Sequence, residues 1–446
     1  MDGDRWVRAV WETLGGAAGD AERVAWRGAS GLGGGRLPVR ELARAAVGVC
    51  SLAAAEAAGY AGQLVVDEGA VTTAFLSERQ LRIGGRAPVP FAPLSGFWRA
   101  ADGWVRTHAN YPHHRDALVR ALGLEAAEPG VLAQALAERT AQEAQEAVYA
   151  AGGLAVAVAG RYGPPQSLVE ARTWRPRRRP VPVAGARVLD LTRVIAGPVA
   201  TRTLGLLGAD VLRIDAPGLP EDPDTYADTG FGKRSARLDL ADGRDRAVFE
   251  ELLARADVVV SGYRPGALAR YGLGTEDLMA RRPGLVVAEL CAWGRWGPWA
   301  GRRGFDSLVQ AGYGIAAAEA GPDGRPGVLP AQALDHGTGY LVAAGILRAL
   351  AGGGGRSLRF SLAGTASWLV HEIAPAAAAA PAADAAPGAG AGCGSGAVAY
   401  DPEPWLRTKE SGYGPLRHAA PPLAYGPPDW PTGPSRWGTD RPAWAT

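Results

Sequence analysis

The fold is decided by residues Val188–Asp215, VLDLTRVIAGPVATRTLGLLGADVLRID. Arg187–Leu191, which is rich in branched apolar residues, predicts a buried strand, and Asp210–Ile214 predicts a second strand. Between them, Ala196-Gly197-Pro198 opens a helix that continues through Leu207, and Gly208 ends it. A strand, a helix and a strand in this order predict one unit of a parallel α/β sheet.

The same alternation continues downstream of this unit. A helix is predicted at Ala247–Ala256 and a strand at Val258–Val260; a further helix ends near Arg282, and the strand Leu285–Leu290 follows. The predicted fold class is therefore α/β, with a Rossmann-like, doubly wound parallel sheet in a large domain.

The chain upstream of the sheet predicts a smaller α+β domain. Phe97–Arg99 and Gly103–Thr107 are strand-like and are joined by a turn at Asp102-Gly103, which predicts a hairpin. Helices are predicted at Arg115–Leu122 and at Val131–Ala151.

Composition excludes several classes of function. The net charge of +2 over 446 residues is too small to indicate a nucleic-acid or membrane partner. Cys50, Cys291 and Cys393 have neither metal-site nor disulfide spacing, and lone buried thiols are expected at Cys50 and Cys291. Acidic residues in the first dozen positions argue against a signal peptide, and Leu42–Ala61, the nearest candidate span, contains charges. We expect a soluble, cytoplasmic protein.

The turn after the first strand of the sheet does not predict a dinucleotide site. It contains one glycine where the NAD fingerprint needs three, so the backbone cannot approach a pyrophosphate closely. Arg193 and the helix N-terminus could still favour an anion. Structural roles at strand ends are expected for Asp190 and Asp215.

A single carboxylate stands out in Leu329–Leu350, LPAQALDHGTGYLVAAGILRAL. Asp335 lies at the head of a predicted buried helix, among residues with small side chains. Taken alone, it could be a helix N-cap that accepts hydrogen bonds from first-turn amides. The neighbouring glycines could instead leave room for a bulky ligand at the carboxylate.

Five blocks in order resemble the class III CoA-transferases, a family that includes formyl-CoA transferase, carnitine CoA-transferase and α-methylacyl-CoA racemase. The blocks are Val188–Asp215, GKRSARLDL (Gly232–Leu240), ADVVVSGYRPGALARYGL (Ala256–Leu273), GRRGFDSLVQAGYG (Gly301–Gly314) and the segment around Asp335.

The resemblance implies that Asp335 is the nucleophile. It would attack the thioester of a donor acyl-CoA, form a mixed anhydride and then an aspartyl-CoA thioester, and pass CoA to an acceptor carboxylic acid. Coenzyme A is then a substrate, and no permanently bound cofactor and no metal is implied. The CoA contacts carried over from the family are Arg193, Val194, Ile195, Leu238, Gly262, Tyr263, Arg270 and Arg303. Family members are typically homodimers, which implies a homodimer here.

The sequence departs from the family in three places. Ala216-Pro217 stand where a basic residue often follows the second strand, and a glycine-rich flap has no clear counterpart around Ile83–Pro93. Phe305-Asp306 replace the His-Asp pair of the racemases, so two-base racemisation lacks a base. A decayed acyl-CoA-binding protein and an acyl-CoA isomerase on the same scaffold therefore stay open as alternatives.

The histidines carry weaker signals. His336 follows Asp335 directly and could serve as a base, although a solvent-facing or capping role fits equally well. His108, His113 and His114 lie in the predicted small domain, and their HANYPHH spacing does not match a metal site well.

The order of the parts is unusual for this family, because the small domain precedes the sheet. The predicted parts are residues 1–85, a degenerate partial copy of the large domain; 86–178, the small domain; 179–372, the Rossmann-like CoA-binding and catalytic domain; 373–402, an Ala/Pro/Gly linker; and 403–446, a tail packing on the large domain. The copy is inferred from Leu37-Pro38 and Leu42, which parallel Leu329-Pro330 and Leu334 at an offset of 292 and place Ala43 opposite Asp335.

Overall fold

A 19-residue helix of small apolar residues dominates the N-terminal part of the computed structural model, which describes residues 5–89, 91–175, 179–379 and 400–445. The elements here are α1 (Arg5–Thr13), β1 (Val24–Arg27), α2 (Val39–Ala57), β2 (Leu64–Asp67), α3 (Glu68–Phe75), α4 (Ser77–Gln80) and β3 (Arg82–Ile83). β1 and β2 pair in parallel, and α2 is buried along most of its length. Apolar residues all round a helix are expected when both faces are covered.

The next part of the chain contains a small antiparallel sheet with three helices. Its elements are β4 (Phe97–Arg99), β5 (Trp104–Thr107), α5 (Pro112–Leu122), α6 (Pro129–Ala137), α7 (Ala141–Ala150) and β6 (Ala155–Ala157). β4 and β5 form the predicted hairpin. The single helix predicted over Val131–Ala151 is wrong, because Thr140 begins a new helix. Its side chain and that of Glu143 form a capping box, which satisfies the free amides at a helix start.

The main sheet has seven strands in the order β10-β9-β8-β11-β12-β13-β7. Six strands are parallel, and β7, from within the range predicted for the small domain, pairs antiparallel with β13 at one edge. The elements from this strand onward are β7 (Glu170–Thr173), β8 (Arg187–Leu191), α8 (Ala196–Leu206), β9 (Asp210–Asp215), α9 (Pro223–Thr229), β10 (Lys233–Arg237), α10 (Gly243–Arg255), β11 (Val258–Ser261), α11 (Thr275–Arg281), β12 (Val286–Cys291), α12 (Asp306–Gly312), α13 (Ile315–Ala318), α14 (Ala333–Ala351), β13 (Arg356–Ser361), α15 (Leu362–Trp368) and α16 (Ala374–Ala378).

Both faces of this sheet are covered. Along β8, Val188 belongs to one buried core with α8 and α14, whereas Leu189 belongs to another with α10 and α11. Successive side chains of a strand point to opposite faces, so the two cores lie on the two sides of the sheet. The predicted α/β class, with a doubly wound parallel sheet, is confirmed.

The helix that carries Asp335 packs between α2 and α8. Gly337 and Gly339 make these contacts possible: a Cβ at Gly337 would lie 2.7 Å from Leu42, and one at Gly339 would lie 2.6 Å from the Ala196 carbonyl oxygen. These two glycines therefore serve close helix packing, rather than the ligand access suggested by the sequence.

The N-terminal elements follow the order of the elements around Asp335. β1, α2, β2 and α3 correspond to β12, α14, β13 and α15, and both strand pairs are parallel. Asp67 caps α3 and Ser361 caps α15, each at the junction where a strand passes directly into a helix. That residues 1–85 are a degenerate copy stays a prediction, and this shared order supports it.

The C-terminal tail packs across the large domain. It contains β14 (Leu406–Lys409) and β15 (Leu416–Ala419), and β15 pairs with β3. Three indole N–H groups of the tail donate hydrogen bonds to the large domain. Trp430 donates to the Arg202 carbonyl, Trp437 to the Asp215 carboxylate and Trp444 to a carbonyl of α10. Most of the predicted linker, residues 380–399, lies outside the described residues.

Among the helices of the described ranges, none combines the length and apolarity needed to cross a bilayer.

Candidate active site

Asp335 lies in the first turn of α14, with the residue 7% exposed. It lines a cavity of about 650 Å³ at the carboxyl ends of β8, β9 and β11. Ligands of open α/β sheets bind at this edge, where the loops after neighbouring parallel strands diverge. The Asp335 side chain makes no described hydrogen bond to an amide of its own helix, and the helix N-cap is Gln332. The cavity position therefore distinguishes Asp335 from an ordinary capping residue.

A second carboxyl lies beside Asp335. Asp306 is fully buried at the start of α12; its Oδ2 accepts a hydrogen bond of 2.9 Å from the Asp335 amide, and its Oδ1 accepts one from Gln310. Burial raises the pKa of Asp306 to about 6. Burial, with the negative charges of Asp306 and Glu78, also raises the pKa of Asp335 well above its ordinary value. The two carboxyls therefore resist being ionised together.

Most of the predicted CoA contacts surround this cavity. The lining residues among them are Arg193, Val194, Leu238, Gly262, Tyr263, Arg270 and Arg303. Ile195 does not line the cavity; it is partly buried against the core that contains α8 and α14. The structure thus brings seven predicted residues from four separate loops to the cavity that holds Asp335.

The turn after β8 is strained and tightly held. Val194 has φ +68°, and it is the one non-glycine residue at positive φ among the described ranges. Its amide donates to Glu221 at 3.0 Å; the same carboxylate accepts from Arg213 at 2.8 Å and from the Tyr111 hydroxyl at 2.5 Å. A β-branched residue pays a steric cost in this conformation, so the surroundings must hold it there.

The carboxylates at the strand ends have structural partners, as expected for Asp190 and Asp215. Asp190 is fully buried and accepts from Lys233 at 3.0 Å and from Thr201. Asp215 accepts two hydrogen bonds from Arg213, at 2.7 and 2.9 Å. Asp190 is thus engaged within the fold, whereas Asp215, although held by Arg213, also lines the main cavity.

The small domain supplies one wall of the cavity. Tyr111, His113 and His114 line it beside Phe305, and the His108 ring stacks on Phe305 with centroids 3.9 Å apart. Burial lowers the pKa of His108 and of His114 to about 3, so both rings are neutral at pH 7. In the described part of the chain, no three potential metal ligands converge on one point.

His336 is fully buried, which excludes the solvent-facing role considered from the sequence. Its Nε2 lies 3.2 Å from a carboxylate oxygen of Glu78 in α4. Its ring tilts over Phe75, with centroids 5.4 Å apart.

The expectation of two buried thiols holds for Cys50 but not fully for Cys291. Cys50 is buried in α2, whereas Cys291 is half-buried and lines both the main cavity and a neighbouring cavity of about 410 Å³. Burial raises the pKa of Cys291 to about 11, so it remains a thiol at neutral pH. Cys393 lies outside the described residues.

Several residues around the site were not predicted from the sequence. Tyr111 was not considered as a site residue, His113 was considered only as a metal ligand, and Glu221 and Glu78 gave no signal at all. Asp306 had a usable signal, because it lies in one of the five family-like blocks.

Comparison with known proteins relates the region that forms the parallel sheet to one family. The sequence profile of CoA-transferase family III matches residues 183–402. Residues 183–402 belong to CoA-transferase family III. The family III region contains the six parallel strands and Asp335.

Curated relatives of the chain are named for CoA transfer. It is 36% identical over 182 residues to a probable fatty acyl-CoA transferase of Mycobacterium tuberculosis, covering 38% of this chain and 46% of that protein. It is 35% identical to the mouse succinyl-CoA:glutarate CoA-transferase (38% and 42% covered) and 38% identical to the acetyl-CoA:oxalate CoA-transferase of Acetobacter aceti (32% and 40% covered). The chain thus spans less than half the length of these relatives.

Solved structures show a similar partial coverage. A crystal structure of a CAIB/BAIF family protein from Brucella suis has 28% sequence identity and a TM-score of 0.38, covering 45% of this chain and 58% of that one.

Proposed function

We propose that this protein is an acyl-CoA:carboxylate CoA-transferase that works through a covalent aspartyl intermediate on Asp335. The proposal is carried by one observation: the buried Asp335 carboxyl lines the same cavity as Arg193, Tyr263, Arg270 and Arg303. A carboxyl for covalent chemistry and cations for a phosphorylated ligand therefore share one site. The match of residues 183–402 to a CoA-transferase family supports the same activity.

The proposed reaction needs no group beyond the two substrates and Asp335. The ionised carboxylate attacks the carbonyl carbon of the donor thioester; the C–S bond breaks, and CoA thiolate leaves a mixed anhydride. The thiolate then attacks the Asp335 carbonyl carbon, which releases the donor acid and forms an aspartyl-CoA thioester. The acceptor carboxylate attacks this thioester to give a second anhydride, and the thiolate attacks its acceptor acyl carbon to release acceptor acyl-CoA and free Asp335.

The surroundings of Asp335 suit these steps. Asp335 lies in the first turn of α14, while Ala196 and Gly197 bring the first turn of α8 to the same cavity. Amides and dipoles at helix N-termini favour the negative charge that develops on the carbonyl oxygen. Burial of the carboxyl limits access of water, which would otherwise hydrolyse the anhydride.

Two further features are proposed, the first from the family resemblance and the second from the composition of the sequence. We propose a homodimer and a cytoplasmic location. Sedimentation velocity at two concentrations tests the homodimer, and subcellular fractionation tests the location. Tyr111 and Asp335 line one cavity within a single chain, so a monomer would still contain this part of the site.

The test is intact-protein mass spectrometry after incubation with acetyl-, succinyl- and fatty acyl-CoA, with hydroxylamine added to trap activated carboxyls. A hydroxamate mapped to Asp335 is expected, and it should be absent from Asp335→Asn. Asp323→Asn is the matched control, because Asp323 lies in an exposed turn away from the cavity.

The alternatives predict different outcomes. A decayed binding protein would bind CoA in calorimetry and give no hydroxamate with any donor. An isomerase would convert its acyl-CoA without passing CoA to an added acid. Full transferase activity in Asp335→Asn would contradict the proposed nucleophile.

A further inference from the structure

The N-terminal part of the chain contacts the helix that carries Asp335 through a partly buried contact between Glu78 and His336. Glu78, in α4, places a carboxylate oxygen 3.2 Å from Nε2 of His336. The His336 side chain is fully buried, and its Nδ1 has no hydrogen-bond partner among the described residues. Glu78 is therefore the group that fixes the orientation of this ring through a hydrogen bond.

Glu78 is itself held in place by the large domain. The preceding residue, Ser77, donates a hydrogen bond of 2.6 Å to Asp228, and Arg202 donates to the Asp228 carbonyl oxygen at 2.9 Å. All three of these residues are buried. Phe75, three residues before Glu78, also packs its ring against the ring of His336. The position of Glu78 is thus determined by packing and not by a free loop.

Charged and titratable groups from several elements surround Asp335 and Asp306. Asp306 and Glu78 raise the pKa of Asp335 by their negative charge, in addition to burial. His336 lowers the pKa of Asp306. The negative charge of Asp306 in turn raises the pKa of Arg106 on β5, against the effect of burial. For Glu78, burial raises the pKa, but the hydrogen bond and the charge of His336 lower it below the ordinary value. Glu78 is consequently ionised at neutral pH.

We propose that Glu78 is a positioning residue for the chemistry of Asp335: its carboxylate, 3.2 Å from Nε2 of His336, orients the ring of the residue that directly follows Asp335 in α14. The negative charge of Glu78 also acts on the ionisation of Asp335. Neither Glu78 nor His336 is among the residues that line the main cavity. Glu78 therefore acts without touching the ligand. The catalytic part of this inference rests on the proposed function, whereas the titration of Asp335 does not.

Two substitutions separate charge from orientation. Glu78→Gln keeps a side chain that can hydrogen-bond to His336 and removes the negative charge, while Glu78→Ala removes both. Glu68→Gln is the matched control, because Glu68 is a buried carboxylate of the same N-terminal part that pairs with Arg40. The control breaks an ion pair of the segment without changing the charge beside Asp335.

The first measurement is the pH dependence of carbodiimide labelling at Asp335, followed by peptide mass mapping, which needs no turnover. Carbodiimide reacts with the protonated carboxyl, so the loss of labelling with rising pH reports ionisation. Removing a neighbouring negative charge favours the ionised form, and the midpoint should move to lower pH in both Glu78 variants. Glu68→Gln should titrate like wild type. If Glu78→Gln also titrates like wild type, the electrostatic part of the proposal is wrong.

The second measurement compares CoA affinity with the rate of hydroxamate formation at saturating acyl-CoA. Calorimetry with CoA should give the same dissociation constant, within twofold, for wild type and both Glu78 variants. Hydroxamate formation should fall at least tenfold in Glu78→Ala and much less in Glu78→Gln. Equal rates in wild type and Glu78→Ala would overturn the positioning role. A wild-type protein that forms no hydroxamate would instead contradict the proposed function, and the labelling titration would still decide the role of Glu78.

Discussion

Replacing Glu221 by glutamine removes the negative charge of the buried carboxylate that holds the turn after β8. The carboxylate accepts hydrogen bonds from Arg213, from Tyr111 of the small domain and from the strained Val194 amide. Both Glu221 and Arg213 have fully buried side chains. The substitution preserves shape and volume, so its effect isolates the charge.

The magnitude follows from the pKa of Glu221. Burial raises it, but the charges of Arg213 and Arg193 and the hydrogen bonds from Tyr111 and Val194 lower it from 4.5 to about 2. A carboxyl whose pKa is lower in the folded than in the unfolded protein stabilises the fold above the unfolded value. The difference corresponds to about 3 kcal/mol at pH 7. This stabilisation is lost as the pH falls from about 4.5 towards about 2, and roughly half of it remains at pH 3.

Urea unfolding monitored by circular dichroism measures this free energy. Glu221→Gln should be destabilised by about 3 kcal/mol at pH 7, with a difference that shrinks below pH 4.5. Glu276→Gln is the control, because that side chain is 61% exposed. Its ion pairs should contribute at most about 1 kcal/mol. A difference for Glu221→Gln below about 1 kcal/mol at pH 7, or one that grows towards acid pH, would refute the reasoning.

Three further predictions concern the packing and the charges of the site. Gly339→Ala places a methyl group 2.6 Å from a carbonyl oxygen of α8 and should cost about 1–3 kcal/mol in thermal unfolding. Gly130→Ala, also helical but with nothing within 4 Å, should be neutral or stabilising by up to about 1 kcal/mol, and the reverse order would contradict the packing argument. Asp306→Asn removes a negative charge that raises the pKa of Asp335, so labelling of Asp335 should titrate at lower pH; an unchanged midpoint would show that the two carboxyls do not interact. Arg303→Gln should weaken CoA binding about tenfold in calorimetry at low salt and less at high salt, with Arg303→Lys intermediate; a salt-independent loss would point to packing instead.

Four strands of the sheet, β8, β9, β11 and β12, were predictable because they are rich in apolar residues, whereas β10 (KRSAR) and β13 (RSLRFS) contain too many polar residues to give this signal. Arg187–Leu191 has the same bounds in the sequence prediction and in the structure. Glu170–Thr173 gave no such signal, because every residue of this antiparallel edge strand is exposed and strand periodicity needs a buried face. The break between α6 and α7 was missed since the apolar pattern continues across it, and only the Thr140 capping box marks it.

The candidate site was predictable only where its residues lie in family-like blocks. Asp335 and Arg303 were identified in this way. Glutamate is usually a surface residue, yet Glu221 is buried and Glu78 is partly buried, and both depend on contacts with distant parts of the chain. Sequence spacing carries no information about such contacts, so the electrostatic surroundings of Asp335 required the structure.

The pairing of α2 with α14 has a consequence for biosynthesis. Glu56 of α2 pairs with Arg348 of α14, and these residues are 292 positions apart. A ribosome that adds about 5–20 residues per second needs roughly 15–60 s to travel from one to the other. During that interval the nascent α2 presents its apolar surface without the helix that covers it. Chaperone binding to ribosome-bound chains should therefore begin once α2 emerges and end only after α14 has left the exit tunnel.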